Sequence, residues 1–402
     1  MLLRIVSLLL HAYVGWRLAP ALGSVAAAVA LVALLLVSAL TLPYGLGARR
    51  GRRGRGAVAL AWVGLVGMGW FSTLLVLTVA RDVAIGLAAA ASALWPAALA
   101  PATWTTASAR AVAVAALGVT LWGFVNARRT ARVVRVDVPI AGLPAPLEGF
   151  TIAQISDVHV GPTIRRPFVE AIVDAVNRLD ADLVAVTGDL VDGSVAELAE
   201  HVAPLAGLRA KEGAFFVTGN HEYYSGATAW VRELRRLGLT VLLNEHAVVR
   251  RGDASLLVAG VTDYSAGHFD PAAASDPAAA IAGAPAGAVR ILLAHQPRSA
   301  AAAEAAGFDL QLSGHTHGGQ FLPWNFLVRL QQPFTAGLHR WRRLWVYTSR
   351  GTGYWGPPKR FGAPSEITLL RLVAAASPAG RPVAATAAAA PATPDRATLP
   401  AV

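Results

Sequence analysis

A layered α/β domain behind a helical, membrane-spanning region is the fold class this sequence predicts. Three observations carry the prediction. The first 135 residues hold four or five apolar runs and a single acid, Asp82. From Val136 onward, short β-branched runs alternate with segments of helical period. Of the 402 residues only 15% are charged and 55% are hydrophobic, where an average soluble domain carries about 25% charged residues.

The apolar runs cover residues 1–16, 24–46, 57–80, 83–102 and 111–125. About 20 apolar residues cross a hydrocarbon core. Runs 24–46 and 57–80 meet this directly, and 111–125 meets it when extended back to Ser108. The first run is short and carries Arg4 and His11. A cleaved signal peptide is its alternative, but no small-x-small site precedes the next run. Run 83–102 is rich in alanine and broken by Pro96 and Pro101. Arg49, Arg50, Arg52, Arg53 and Arg55 separate two long runs, and Arg128, Arg129, Arg132 and Arg135 follow the last. The positive-inside rule assigns both sets to the cytoplasm. Four spans satisfy it if 83–102 lies in the outer interface or re-enters. A fifth crossing there would turn the soluble domain outward and violate the rule at four arginines. The expected location is a multi-pass position in the cell membrane, with the soluble domain facing the cytoplasm.

In the soluble half, strands are predicted at 150–156, 182–187, 214–218, 240–243, 255–261, 291–294, 310–313, 344–348 and 367–372. Helical spacing covers 166–179, 195–208 and 227–237. Residues 270–287 are Ala/Pro/Gly-rich and read as a loop, and 374–402 form an Ala/Pro/Thr tail with nothing to build a core. The domain division is 1–135, 136–373 and 374–402.

Charge and cysteine content exclude several chemistries. The net charge of +11 is confined to residues 1–135, which contain thirteen arginines and no lysine. The rest balances 22 bases against 23 acids, so the soluble part lacks the basic groove a phosphate backbone needs, and no nucleic acid is expected as a partner. There is no cysteine, hence no thiolate nucleophile, zinc–thiolate site or iron–sulfur cluster.

Chemistry-bearing residues recur just after the predicted strands. Asp157 and His159 follow the first, Asp189 and Asp192 the second, and Asn220, His221 and Glu222 the third; His295 follows a later strand, and His315 and His317 another. Carboxyl ends of strands form the ligand crevice of open α/β sheets, so five loops aim metal-type ligands at one place. Each loop alone is an ordinary turn, and Asp192 alone is as readily a helix cap as an orienting group. The ordered set of five is not a pattern that turns produce. Nitrogen and oxygen donors without sulfur suit Mn, Fe, Zn or Co.

These motifs, Asp157-Val-His159, Gly188-Asp-Leu-Val-Asp192, Gly219-Asn-His-Glu222, His295 and Gly314-His-Thr-His317, resemble the signature of the calcineurin-like metallophosphoesterases over about residues 145–373. Gly318-Gly319-Gln320 and the multi-span amino-terminal region are similar to the membrane-associated bacterial branch, some of whose members cleave a UDP-activated diacylglucosamine. The resemblance implies a four-layer αββα sandwich and two divalent cations, manganese favoured. Asp157, His159 and His317 would hold one, Asn220, His295 and His315 the other, and Asp189 would bridge them. It implies hydrolysis of a phosphoester, a phosphodiester or a lipid-linked one, by a hydroxide between the cations. His221 is the candidate to protonate the leaving alkoxide, with orientation of Asn220 as its alternative. Asp192 and Glu222 are expected behind the ligands. Arg350, Lys359 and Arg360 are weaker substrate-binding candidates.

Residues 321–345 interleave Trp324, Phe326, Leu327, Leu330, Phe334, Trp341 and Trp345 with Arg329, Arg340, Arg342 and Arg343. Such mixtures favour the lipid headgroup zone, which makes the bilayer the expected partner of a lip here; the alternative is a long loop with its aromatics packed inward. Two functional rivals stand beside the esterase: a membrane protein with a metal-binding regulatory domain, and a metal-dependent nuclease. The sequence does not speak to oligomeric state.

Overall fold

The computed structural model describes residues 2–47, 54–94 and 104–375. Arg49, Arg50, Arg52 and Arg53, the two prolines at 96 and 101, and residues 376–402 of the tail lie outside the described residues.

Among the described residues, four helices are long and apolar enough to cross a membrane: α1 (Leu2–Leu18), α2 (Val25–Gly47), α3 (Arg55–Leu94) and α4 (Thr105–Arg128). The expected break between runs 57–80 and 83–102 is absent, because α3 continues through Arg81 and Asp82 to Leu94. The charges stay in the helix because neighbours satisfy them. Asp82 accepts from the Tyr13 hydroxyl at 2.6 Å and from Arg17 Nε at 2.7 Å. Arg81 donates to Ser108 Oγ at 2.9 Å and to the Thr105 carbonyl at 3.0 Å. At the same end, Arg110 donates to the Leu22 carbonyl at 3.0 Å. Midway, His11 reaches Ser38 Oγ at 3.1 Å and stacks on Phe71 at 3.5 Å, which ties three helices together. A Cβ at Gly64 would collide with the Thr41 carbonyl, so glycine lets α2 and α3 approach closely.

The soluble half is a mixed α/β sandwich of four layers. One sheet runs β1 (Arg132–Ile140), β12 (Glu366–Ala374), β2 (Thr151–Ile155), β3 (Leu183–Val186), β4 (Ala214–Phe216), β5 (Thr240–Val241) in spatial order. The other runs β10 (Gly337–Trp341), β11 (Leu344–Thr348), β9 (Leu310–Ser313), β8 (Val289–Leu293), β7 (Ala254–Gly260), β6 (Glu245–Arg251). Strand periodicity sorts the side chains. Ile152, Leu183, Phe215, Leu256, Ile291, Leu312 and Leu370 fill the space between the sheets. Ala153, Val184 and Val186 face α5 (Arg166–Asn177), α6 (Val195–Val202) and α8 (Ala227–Arg236). On the far side, Leu257, Ala259 and Leu292 pack against α9 (Pro277–Ala280) and α10 (Ala300–Ala305).

Three strands differ from the sequence reading. β1 begins at Arg132, ahead of the composition change at Val136, and pairs parallel with β12 along nine residues. β6 and β10 are outer strands whose polar alternation hides them. Helix α6 stops at Val202, short of the predicted 208, because Pro204 turns the chain into a 3-10 segment, Ala203–Gly207. Within 270–287 two short turns form, and Ala280 is buried.

Candidate metal centre

The crevice lies where both sheets end. β2, β3 and β4 are mutually parallel in one sheet, and β8 and β9 are parallel in the other. The five segments leaving their carboxyl ends carry every candidate metal ligand named above, together with Asp192, His221 and Glu222. A sharp backbone turn is needed to bring side chains back over a strand end. Asp157, His159, Asp189, His315 and His317 supply it with φ of 52°, 54°, 52°, 69° and 52°, a left-handed region that non-glycine residues enter at a cost. Gly219 and Gly314 are required for a different reason. A Cβ on either would overlap the Asp189 or Asp157 carboxylate.

The carboxylate of Asp189 sits at the middle. Its Oδ2 is 3.2 Å from His295 Nε2 and 3.8 Å from both His159 Nε2 and His221 Nε2. On one side, His317 Nε2 lies 3.4 Å from Asp157 Oδ1 and 3.1 Å from His159 Nε2. On the other, His315 Nδ1 lies 3.1 Å from Asn220 Oδ1 and 3.2 Å from His295 Nε2. Three sets of donors are close enough to hold an ion: Asp157, His159 and His317; Asp189, His295 and His315; and His159, Asp189 and His221.

Hydrogen bonds behind the rings fix which nitrogen faces inward. Asp192 Oδ1 accepts from His159 Nδ1 at 3.3 Å and from His221 Nδ1 at 2.5 Å. The Thr187 carbonyl accepts from His295 Nδ1 at 2.8 Å. With a proton on Nδ1, the Nε2 atoms of His159 and His295 face the crevice. Asp192 is thus an orienting group. The N-terminus of α6 is capped by Ser194 and Glu197 instead. Glu222 does not face the crevice either. Its carboxylate accepts from the backbone N–H groups of Asp189 (3.0 Å), Leu190 (2.7 Å) and Gly219 (2.6 Å), clamping two ligand loops together.

Proton affinities follow from this crowding. Burial pushes the Glu222 carboxyl up to about 7, with Asp189 adding to the effect. Burial also raises Asp157. Against their burial, Asp189 is held well below the usual carboxylate range by His221 and His295, and Asp192 by His159 and His221. His295 moves well above the usual imidazole value, where the attraction of Asp189 overcomes desolvation. Burial and His295 drive His315 down to about 3, and burial, His159 and Arg360 drive His317 well down. The ring nitrogens of His159 and His317, 3.1 Å apart, and of His295 and His315, 3.2 Å apart, need a proton or a cation between each pair. A buried set of nitrogen and carboxylate donors facing inward fits borderline divalent cations.

The three cations suggested for substrate binding are turned elsewhere. Arg350 Nη1 donates to Glu366 Oε2 at 2.8 Å. Arg360 is fully buried and donates to the carbonyls of His317 (3.0 Å), Arg350 (2.5 Å) and Ala363 (3.3 Å), with Nη2 on His317 Nδ1 at 3.1 Å. A guanidinium only donates, so Arg360 supports His317 from behind. Lys359 points away into the helices, donating to the Gly69 carbonyl at 2.7 Å and to Thr73 Oγ1. Sequence reasoning missed the aromatic frame of His221: Tyr224 and Trp355 meet its ring edge-on at 5.3 and 6.0 Å. Tyr224, two residues past Glu222, was the available signal.

The calcineurin-like phosphoesterase family matches residues 150–319. A protein of Danio rerio named "Transmembrane protein with metallophosphoesterase domain" is 38% identical over 256 residues, covering 62% of this chain and 59% of that protein. A Bos taurus protein of the same name is 40% identical over 265 residues, with 63% and 60% covered. The chain therefore spans about 60% of the length of these two relatives. An Aquifex aeolicus metallophosphoesterase is 32% identical over 244 residues, covering 60% of this chain and 91% of that protein.

Proposed function

Because the chain belongs to the calcineurin-like phosphoesterase family, we propose that it is a membrane-anchored hydrolase that uses two divalent cations to cleave a phosphodiester or a lipid-linked phosphoester. The observation that carries this reading is the convergence of seven side chains, Asp189 among them, from five loops on one crevice. Asp157, His159 and His317 would hold one cation, Asn220, His295 and His315 the other, with Asp189 shared. Such cations supply Lewis acidity toward phosphoryl oxygens and lower the pKa of water.

The chain's own residues do the rest. Asp192 accepts from His221 Nδ1, so the imidazolium form of His221, with its second proton on Nε2, 3.8 Å from Asp189 Oδ2, would pass that second proton to the departing oxygen and be left neutral. Tyr224 and Trp355 hold that ring on edge. Glu222 keeps the Asp189 and Asn220 loops in register. Anchoring is assigned to the four helices ending at Arg128, and catalysis to the sandwich that starts with β1. Four spans put Arg128, Arg129, Arg132 and Arg135 on the same side as the arginines at 49–55, which favours a cytoplasmic catalytic domain. The relatives named as transmembrane proteins support the anchoring.

Full-length protein in detergent tests the reading. It should bind two ions per chain and hydrolyse bis(p-nitrophenyl) phosphate only when Mn²⁺ or a similar cation is present. A metal-saturated preparation that binds fewer than two ions, or turnover that survives chelation, refutes it. Protease access in inside-out vesicles checks the side on which the domain lies.

A further inference from the structure

The four helices carry their own depth scale. At one end lie Trp16, Arg17, Arg81, Asp82, Trp104 and Arg110, the composition of a membrane–water boundary. Twenty residues back along α3 is Trp62, and Arg128 stacks on its ring at 5.4 Å. Twenty helical residues span ~30 Å, the thickness of a hydrocarbon core. Trp62 and Arg128 therefore mark the boundary on the catalytic side.

Contacts from the catalytic domain fall inside these limits. Ser72 Oγ donates to the Leu322 carbonyl at 2.8 Å. Lys359 reaches Gly69 and Thr73, and the Arg360 N–H donates to the Gly123 carbonyl at 2.8 Å. Residues 69–73 lie seven to eleven positions beyond Trp62, or ~10–17 Å below the boundary. Leu322 lies two residues ahead of α11 (Trp324–Gln331), which is attached at that depth. None of its residues is buried. Trp324, Phe326, Leu327 and Leu330 are 44%, 64%, 42% and 73% exposed, an apolar face that water does not favour. The rest of the aromatic segment is used differently. Phe321 is buried, Phe334 packs on Trp341, and Trp345 donates to the Pro139 carbonyl at 2.7 Å.

We infer that α11 is an in-plane helix whose apolar face lies among the acyl chains of the leaflet on the catalytic side. The inference rests on the membrane-anchored reading above and gives it a substrate class. The loop that carries His315 and His317 runs directly into α11. The loop on the other flank joins it through Gln320, which donates to the Trp355 carbonyl at 2.9 Å and to the Pro357 carbonyl at 3.2 Å. The metal centre thus sits at the acyl–headgroup boundary, where an amphiphilic phosphoester presents its phosphate without leaving the leaflet.

The chain has no cysteine, so single labels are unambiguous. Nitroxides at Phe326→Cys (α11), Val32→Cys (exposed on α2) and Glu212→Cys (exposed on the sandwich) would be compared in full-length protein in phosphatidylcholine–phosphatidylglycerol vesicles. Each variant is first matched to the parent by circular dichroism. The measurement is collision with oxygen, which concentrates in lipid, against collision with a water-soluble nickel chelate. Phe326 should resemble Val32, with oxygen favoured several-fold over its ratio at Glu212. If Val32 reports lipid but Phe326 matches Glu212, the inference is wrong and the anchoring stands. If Val32 also matches Glu212, the anchoring falls and the inference with it.

Discussion

Asp192 offers a quantitative test, because a single oxygen, Oδ1, accepts from both His159 Nδ1 and His221 Nδ1. Asp192→Asn can keep a carbonyl oxygen at that position, so both bonds survive and only the charge is lost. A hydrogen bond to a charged partner is worth about 1 kcal/mol more than a neutral one. Two such bonds make roughly 2 kcal/mol, and each 1.36 kcal/mol is about tenfold in rate. Asp192→Asn should lower kcat/KM roughly ten- to thirtyfold. Asp192→Ala removes both bonds, at about 1–3 kcal/mol for each buried ring N–H that loses its acceptor. It should cost at least about a hundredfold and free both imidazoles to change tautomer. The assay is hydrolysis of bis(p-nitrophenyl) phosphate at saturating Mn²⁺, with ion content determined on the same samples. Asp192 is held ionised well below the usual range, so the ratio of variant to parent should be flat between pH 7 and 9. An Ala variant with parental kcat/KM, or an Asn variant as impaired as Ala, would show that the orienting argument is wrong.

Other expectations concern the ions, the proton and the seat of the domain. His315→Ala should abolish metal-dependent turnover and lower the ion count, whereas His221→Ala should keep both ions and lose rate on an unactivated ester; an unchanged rate would remove His221 as the proton carrier. His295 holds its proton well above the usual imidazole value, and that proton must leave Nε2 before an ion is held there. Cation uptake at pH 7 should therefore release protons, and affinity should rise with pH above the ordinary imidazole range. Calorimetry in buffers of different ionisation enthalpy reads this, and a buffer-independent heat contradicts it. Gly123→Val would press a branched side chain into the Lys359 stem and the Arg360 backbone. Overpacking of this kind costs about 1–3 kcal/mol, a fall of several degrees in Tm, and an unchanged melt would mean that the domain is not seated there.

What could be read from the sequence depended on whether local composition determines the answer. The ligand loops were legible because His, Asp and Asn after a buried β-branched run have few structural uses. The central strands were legible as apolar runs, and β9 and β11 occupy the predicted residues. β1 was missed because arginines alternate with its valines, and β6 and β10 because outer strands need no apolar run. Arg81 and Asp82 divided one helix into two apolar runs because their partners, Tyr13, Arg17, Thr105 and Ser108, come from outside it. Lys359 and Arg360 looked like phosphate binders because composition cannot tell where a long cation ends. Lys359 ends on a carbonyl 290 positions away.

Only three residues separate the last turn of α4 from β1, and β1 then lies along the whole of β12. Leu322, Lys359 and Arg360 also tie the sandwich to α3 and α4, so little slack is left between the helices and the sheets. Under the membrane-anchored reading proposed above, a catalytic body held in this way would meet chiefly what diffuses laterally past it. For the experimentalist, trimming the helices to obtain a soluble fragment is hazardous. A cut beyond Arg132 unpicks a sheet edge, and loss of α3 and α4 strips Lys359 of its acceptors and uncovers the surface that Gly69 and Gly123 now occupy.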